Sequence, residues 1–244
     1  MTRIALFAAA AVAFAAPAAA HDLWLSPGPG SVMVQYGHPH EPEMPVARKL
    51  TSLIAYQPSR TVGLTATMGT EPVSVLRAAL DGDALVAAAY DNGYWVRLTD
   101  GSYRNASKRM VPEGEKSQWS VKYAKAAIGP TAPWDRVVGQ PLEIVPLEAP
   151  ASAKGSIRVR VLFDGRPLSG ADVVATDGAN FKSEADQARA ATDAAGEATV
   201  PLRVAGPQVL GVNHRITPSQ TPTLADADAY SATFAFTVAD PKTN

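Results

Sequence analysis

The chain has no cysteine, only four histidines in 244 residues, and a formal net charge of −1. Without cysteine there are no disulfide staples, so stability must come from burial, and any metal site must be built from nitrogen and oxygen rather than thiolate. The near-neutral charge supplies no basic surface for nucleic acid or an anionic membrane. Beyond the first twenty residues no apolar run approaches the roughly 20 residues that cross a bilayer as a helix, so direct membrane insertion of that kind is not expected. Also missing are the G-x-S-x-G elbow, the H-E-x-x-H helix, the P-loop and the dinucleotide fingerprint. The common hydrolase and nucleotide chemistries therefore lack their residues, and an enzyme is not expected.

What the chain does have starts with a leader. Met1-Thr2-Arg3 is a short positive start, residues 4–16 are apolar and rich in Ala and Phe, and Pro17-Ala18-Ala19-Ala20 ends in small residues. This is the pattern of a secretory signal peptide over residues 1–20, which implies export to the periplasm. A cut after Ala20 makes His21 the first residue of the mature chain. A cut after Ala18 leaves Ala19-Ala20-His21 and places histidine third.

The remaining length fits two small domains better than one. Short runs in which apolar and polar residues alternate, punctuated by Gly and Pro, predict an all-β protein of two sandwiches over residues 21–148 and 155–244. In the first, strands are expected at 31–36, 50–56, 61–68, 94–99, 118–123 and 142–145. Trp119, Val121 and Tyr123 alternate with Gln118, Ser120 and Lys122 there, which predicts a half-buried strand. Ala and Leu dominate 75–80 and 84–90, where a helix is equally compatible. The low-bulk stretch 148–155 reads as a linker. In the second half Ile157, Val159, Val161 and Phe163 alternate with arginines before an Asp164-Gly165 turn, and Tyr230, Ala232, Phe234, Phe236 and Val238 alternate likewise. With further strands at 171–176, 197–202 and 208–215, this half reads as an immunoglobulin-like or prealbumin-like sandwich.

The histidines carry the chemistry. A free α-amine has an ordinary pKa of about 7.7–8.0 and imidazole about 6.5, so both yield their protons to a metal near neutral pH. If His21 leads the mature chain, its amine and ring Nδ1 can close a chelate on one ion. The run Tyr36-Gly37-His38-Pro39-His40-Glu41-Pro42-Glu43 then offers His38 and His40, which an extended segment turns to one side. Pro39 and Pro42 reduce the entropy lost in ordering it. Such a nitrogen-rich site suits Cu(II), Ni(II) or Zn(II), and Co(II) less tightly. With histidine third, the amine, two deprotonated amides and the ring make a square plane suited to copper or nickel. A His-x-His pair in a surface loop is also common without any metal. His214, on an expected strand, is equally compatible with a ligand and with a structural residue, and Asp22, Glu41 and Glu43 read as solvated carboxylates.

At these residues the chain resembles a periplasmic two-domain β family associated with bacterial nickel and cobalt uptake. The likeness rests on His21-Asp22-Leu23-Trp24-Leu25, Gly37-His38, Val121-Lys122-Tyr123-Ala124-Lys125-Ala126, Gly139-Gln140-Pro141-Leu142-Glu143-Ile144-Val145-Pro146 and Tyr230-Ser231-Ala232-Thr233. It spans nearly the whole chain after the leader, although each motif is short. The resemblance implies a divalent metal ion, Ni(II) or Co(II), as ligand, a membrane metal transporter as partner, and His21, His38 and His214 as metal residues. His40 is outside that pattern and stands on its spacing alone. Residues 165–171 and 192–196 also resemble prealbumin-type modules, which speaks to fold and not to activity.

Two other readings belong to different classes. An amino-terminal histidine brace can hold Cu(II) and support oxidation or copper carriage. A carbohydrate or adhesion module of the cell envelope would instead use Trp24, Tyr94, Trp95 and Trp134 as stacking surfaces.

Overall fold

The longest strands are buried on both faces over much of their length, and that property sets the layering of the described residues. The computed structural model describes residues 21–38, 41–69, 75–176, 187–202 and 205–239. The leader expected over 1–20 and His40 lie outside the described residues. In chain order the strands begin β1 (Asp22–Gly28), β2 (Ser31–His38), β3 (Glu41–Glu43), β4 (Leu50–Tyr56), β5 (Thr61–Gly63) and β6 (Thr67–Met68). Next come β7 (Leu76–Ala79), β8 (Ala84–Arg97), β9 (Tyr103–Arg104), β10 (Lys116–Ile128), β11 (Leu142–Pro146) and β12 (Ser156–Phe163). The chain closes with β13 (Arg166–Pro167), β14 (Asp172–Thr176), β15 (Ala188–Ala191), β16 (Glu197–Pro201), β17 (Gly206–Ile216) and β18 (Ala227–Val238). Among the described residues the only helical turns are short 3-10 segments at Ala47–Lys49 and Pro150–Ser152, so the protein is all-β.

These strands form three sheets. One runs β1-β2-β7-β6 with β3 on β2, the central one runs β15-β14-β17-β18-β10-β8-β4-β5 with β9 on β8, and the third joins β11, β12 and β13 with β16 on β12. The outer sheets pack on opposite faces of the central one. Alternation along the central strands feeds both interfaces: Leu85, Val121, Tyr123, Tyr230, Phe234 and Phe236 enter the core against β11, β12 and β16. Val86, Ala88, Tyr90, Ala124, Ala126 and Ala235 enter the other core, against Leu23, Leu25, Val32, Val34 and Leu76.

Two cores lie one on each face of the central sheet, and the halves expected as separate sandwiches share that sheet. β10 and β18 pair in parallel, Gln118 with Ala227 through Ala126 with Ala235, so the central sheet runs across the boundary expected at 148–155. β11, from the first half, completes the outer sheet of the second by pairing with β12. The expected linker holds a 3-10 turn whose Pro150 is buried, and Ala151 accepts a hydrogen bond from the Ala239 amide at 3.2 Å.

The helical option at 75–80 and 84–90 is resolved as strand, in β7 and β8. Alanine's helix preference loses here because β8 is paired on both edges, with β4 and β10, and buried on both faces. Its small residues let the β1-β2 sheet approach closely. Ala124, fully buried beneath that sheet, leaves no room for growth. An Ala124→Leu substitution is expected to cost about 1–3 kcal/mol by overpacking, measurable as a lower midpoint in urea unfolding without loss of the strand signal by circular dichroism.

Candidate metal centre

β1 and β2 set the two histidines side by side. Their antiparallel register pairs Asp22 with Gly37 and Leu23 with Tyr36, which brings the residue preceding β1 alongside the last residue of β2. Gly37, at φ 106°, occupies backbone space that side-chain-bearing residues rarely adopt, just where β2 meets His38. The ring centroids of His21 and His38 are 5.0 Å apart with planes inclined by 35°. That separation suits two imidazoles sharing one ion through bonds of about 2.0–2.1 Å.

Orientation comes from the next ring of contacts. Nε2 of His21 lies 2.6 Å from Oε1 of Glu43, and the same imidazole stacks on Tyr36 at 5.4 Å with an interplanar angle of 4°. β3 supplies Glu43 by pairing its backbone with Tyr36. With Nε2 held by a carboxylate, a neutral His21 ring carries its lone pair on Nδ1, the atom that closes a chelate with the residue's own amine. His21 and Glu43 are 40% and 53% exposed, so an ion can reach them from solvent.

The floor of the site is buried and polar. Lys122, 3% exposed, donates from Nζ to the backbone carbonyl of His21. Burial pulls its ammonium below the ordinary lysine value, the Asp22 carboxylate opposes that shift, and Lys49 adds to it. Tyr36 donates to Oδ1 of Asn92 at 3.5 Å and its phenol is pushed up to about 12, chiefly by burial and then by Tyr90 and Glu43. Lys49 donates to the carbonyl and to Oδ1 of Asn92 at 2.9 and 3.0 Å, and burial lowers its pKa.

Among the described residues, no three His, Asp or Glu side chains converge as a ready ligand set. The described side chains thus supply two imidazoles, and a third nitrogen would come from outside them, from the amine freed by a cut after Ala20 or from His40, which lies outside the described residues. The donor set fits a metal on that condition.

His214 is not brought to this place. It pairs across β17 and β18 with Tyr230 and lies half-buried against Phe163, ring centroids 4.5 Å apart and planes inclined by 58°, beside the core on the far side of the central sheet from Lys122 and β1. Burial lowers its pKa, against Asp164, as a packed imidazole requires. Of the proposed sugar-stacking residues, Trp24 is 6% exposed and Trp134 packs on the core, while Lys49 lies 5.4 Å above the Trp95 ring. Tyr94 is half-buried and hydrogen-bonds Thr221 at 3.3 Å.

Sequence reading passed over Glu43 as a solvated carboxylate and gave Lys122 to the polar face of a half-buried strand. Glu43 is joined to His21 only through the β2-β3 turn-back. Lys122 was detectable in principle, because Lys122 and Lys125 are an odd number of residues apart on one strand and must face opposite sides of it. In a strand covered on both faces, both are interior.

Comparison with known proteins adds two findings. The sequence profile of the family described as "Domain of unknown function (DUF4198)" matches residues 18–216. A Haemophilus influenzae protein described as an uncharacterized protein is 29% identical over 164 residues, covering 66% of this chain and 70% of that protein.

Proposed function

We propose, for a chain that belongs to the DUF4198 domain family, the role of a periplasmic binding protein for a divalent transition metal. Ni(II) or Co(II) is the cargo, held by an amino-terminal histidine chelate and passed to a membrane transporter. The observation that carries this reading is the Glu43 contact at Nε2 of His21, with His38 alongside. A carboxylate on the distal nitrogen is the usual partner of a metal-ligating histidine, since it fixes the tautomer and raises ligand basicity. Intrinsic affinity alone ranks Cu(II) above both other ions, and the all-nitrogen donors keep a copper-binding histidine brace as the second reading.

Titration of the processed protein with Ni(II), Co(II) and Cu(II) separately is the test, with intact mass fixing the cut at Ala18 or Ala20. One ion per chain is expected, with binding lost when the terminal amine is acetylated or capped by a tag. Equal binding by the acetylated protein overturns the proposal. Copper uptake accompanied by peroxide-dependent substrate oxidation decides for the brace enzyme instead. In the same titration Glu43→Gln is expected to weaken binding about 10–100-fold while leaving one ion per chain.

A further inference from the structure

Among the described residues β1 is an edge strand whose backbone pairs with β2 and no other strand, and it starts at the second residue after a cut at Ala20. Strands beside a chain end fray, and a terminal chelate fails if its first residue has no fixed position. The carbonyls of residues 21 and 23, two apart, point to the same side of a strand. Both are held by side chains that rise from neighbouring strands of the central sheet. Lys122 on β10 donates to the His21 carbonyl, and Thr233 on β18 donates from Oγ1 to the Leu23 carbonyl at 2.6 Å. Both donors are buried, at the parallel seam where β10 and β18 meet.

We propose that Lys122 and Thr233 are positioning residues that clamp the outer edge of β1 and thereby hold the His21 chelate in its binding geometry. This rests on the metal-binding reading above, and it assigns the parallel seam a task beyond joining the two halves. The clamp is built from side chains because no further strand pairs with that edge among the described residues. It also withholds two carbonyls that an unprotected edge would offer to another chain.

Charge and position make opposite forecasts for Lys122. Removing a buried cation beside a divalent ion strengthens binding if electrostatics alone governs. If the clamp governs, Lys122→Met weakens Ni(II) binding roughly ten- to thirty-fold, because ordering the freed residues is then charged to the binding step. Thr233→Val, nearly isosteric and uncharged, is expected to act in the same direction.

The experiment uses the processed full chain and Ni(II) alone, with hydrogen exchange of the β1 amides as the second readout. Weaker binding together with faster β1 exchange in both variants supports the clamp. So does a smaller acetylation penalty in Lys122→Met than in the parent, since a displaced amine has less to lose. Unchanged or tighter binding in Lys122→Met, or unchanged β1 exchange in Thr233→Val, overturns it. Should Lys122→Met fail to fold, Thr233→Val decides alone. If acetylating the parent leaves its affinity intact, the chelate itself is refuted, and β1 exchange still judges the clamp.

Discussion

Replacing Glu143 by alanine is expected to destabilise the protein by about 3–5 kcal/mol. Lys125 on β10 and Glu143 on β11 form an ion pair at 2.7 Å in which both side chains are 1% exposed. Glu143 also accepts from the amides of Val138 and Gly139 at 2.8 and 3.0 Å, and Lys125 lies 5.8 Å from the Phe234 ring. Burial pulls Lys125 below its ordinary pKa and Glu143 opposes that pull. Truncating Glu143 leaves the buried ammonium without its counter-charge, with only the Arg136 carbonyl at 3.4 Å to accept from it, and orphans the half-buried Val138 amide as well. For a chain of this size the loss amounts to a fall in Tm of about 2–4 °C per kcal/mol, readable by calorimetry.

The comparison among variants separates charge from hydrogen bonding. Glu143→Gln keeps an acceptor for Val138 but not the charge, so it is expected to fall between the parent and the alanine variant. Replacing both partners by apolar residues is often neutral or stabilising for buried pairs. Here the double Lys125→Met, Glu143→Leu chain is expected to recover only part of the loss, because the Val138 amide stays unpaired. Full recovery contradicts the role given to those backbone donors.

The second large effect concerns metal. His21→Ala and His38→Ala are each expected to weaken Ni(II) binding more than about 100-fold, beyond what changes to a supporting carboxylate produce. His214→Ala is expected to leave affinity unchanged, since the central sheet stands between that ring and the site. Competition against a chromophoric chelator measures all three. Equal losses in His214→Ala and His38→Ala contradict the geometry.

Much of the fold was legible in the sequence because its strands advertise themselves. The alternation at 156–163 marks the bounds of β12 directly, and 50–56 marks β4 equally well. Two segments were misread for a related reason. Where a strand is buried on both faces, alternation either disappears, which left the Ala-rich start of β8 compatible with a helix, or no longer separates core from solvent, which gave the buried Lys122 to water. Of the candidate site, His21 and His38 were legible from their spacing after the expected leader, and the structure sets them together. Glu43 was not, since its meeting with His21 depends on β3 folding back on β2.

By itself the sequence determined residue types and their local spacing: no cysteine thiolate, and three of the four histidines close together near one end of a β-rich chain. Such features are local, and any strand carries them with it. Only the tertiary structure decided partners distant in the chain: Lys122 at His21, Thr233 at Leu23, Lys125 with Glu143, and His214 across the sheet from the rest. The parallel pairing of β10 with β18 joins residues more than a hundred positions apart, a contact governed by burial of two faces at once rather than by any local pattern.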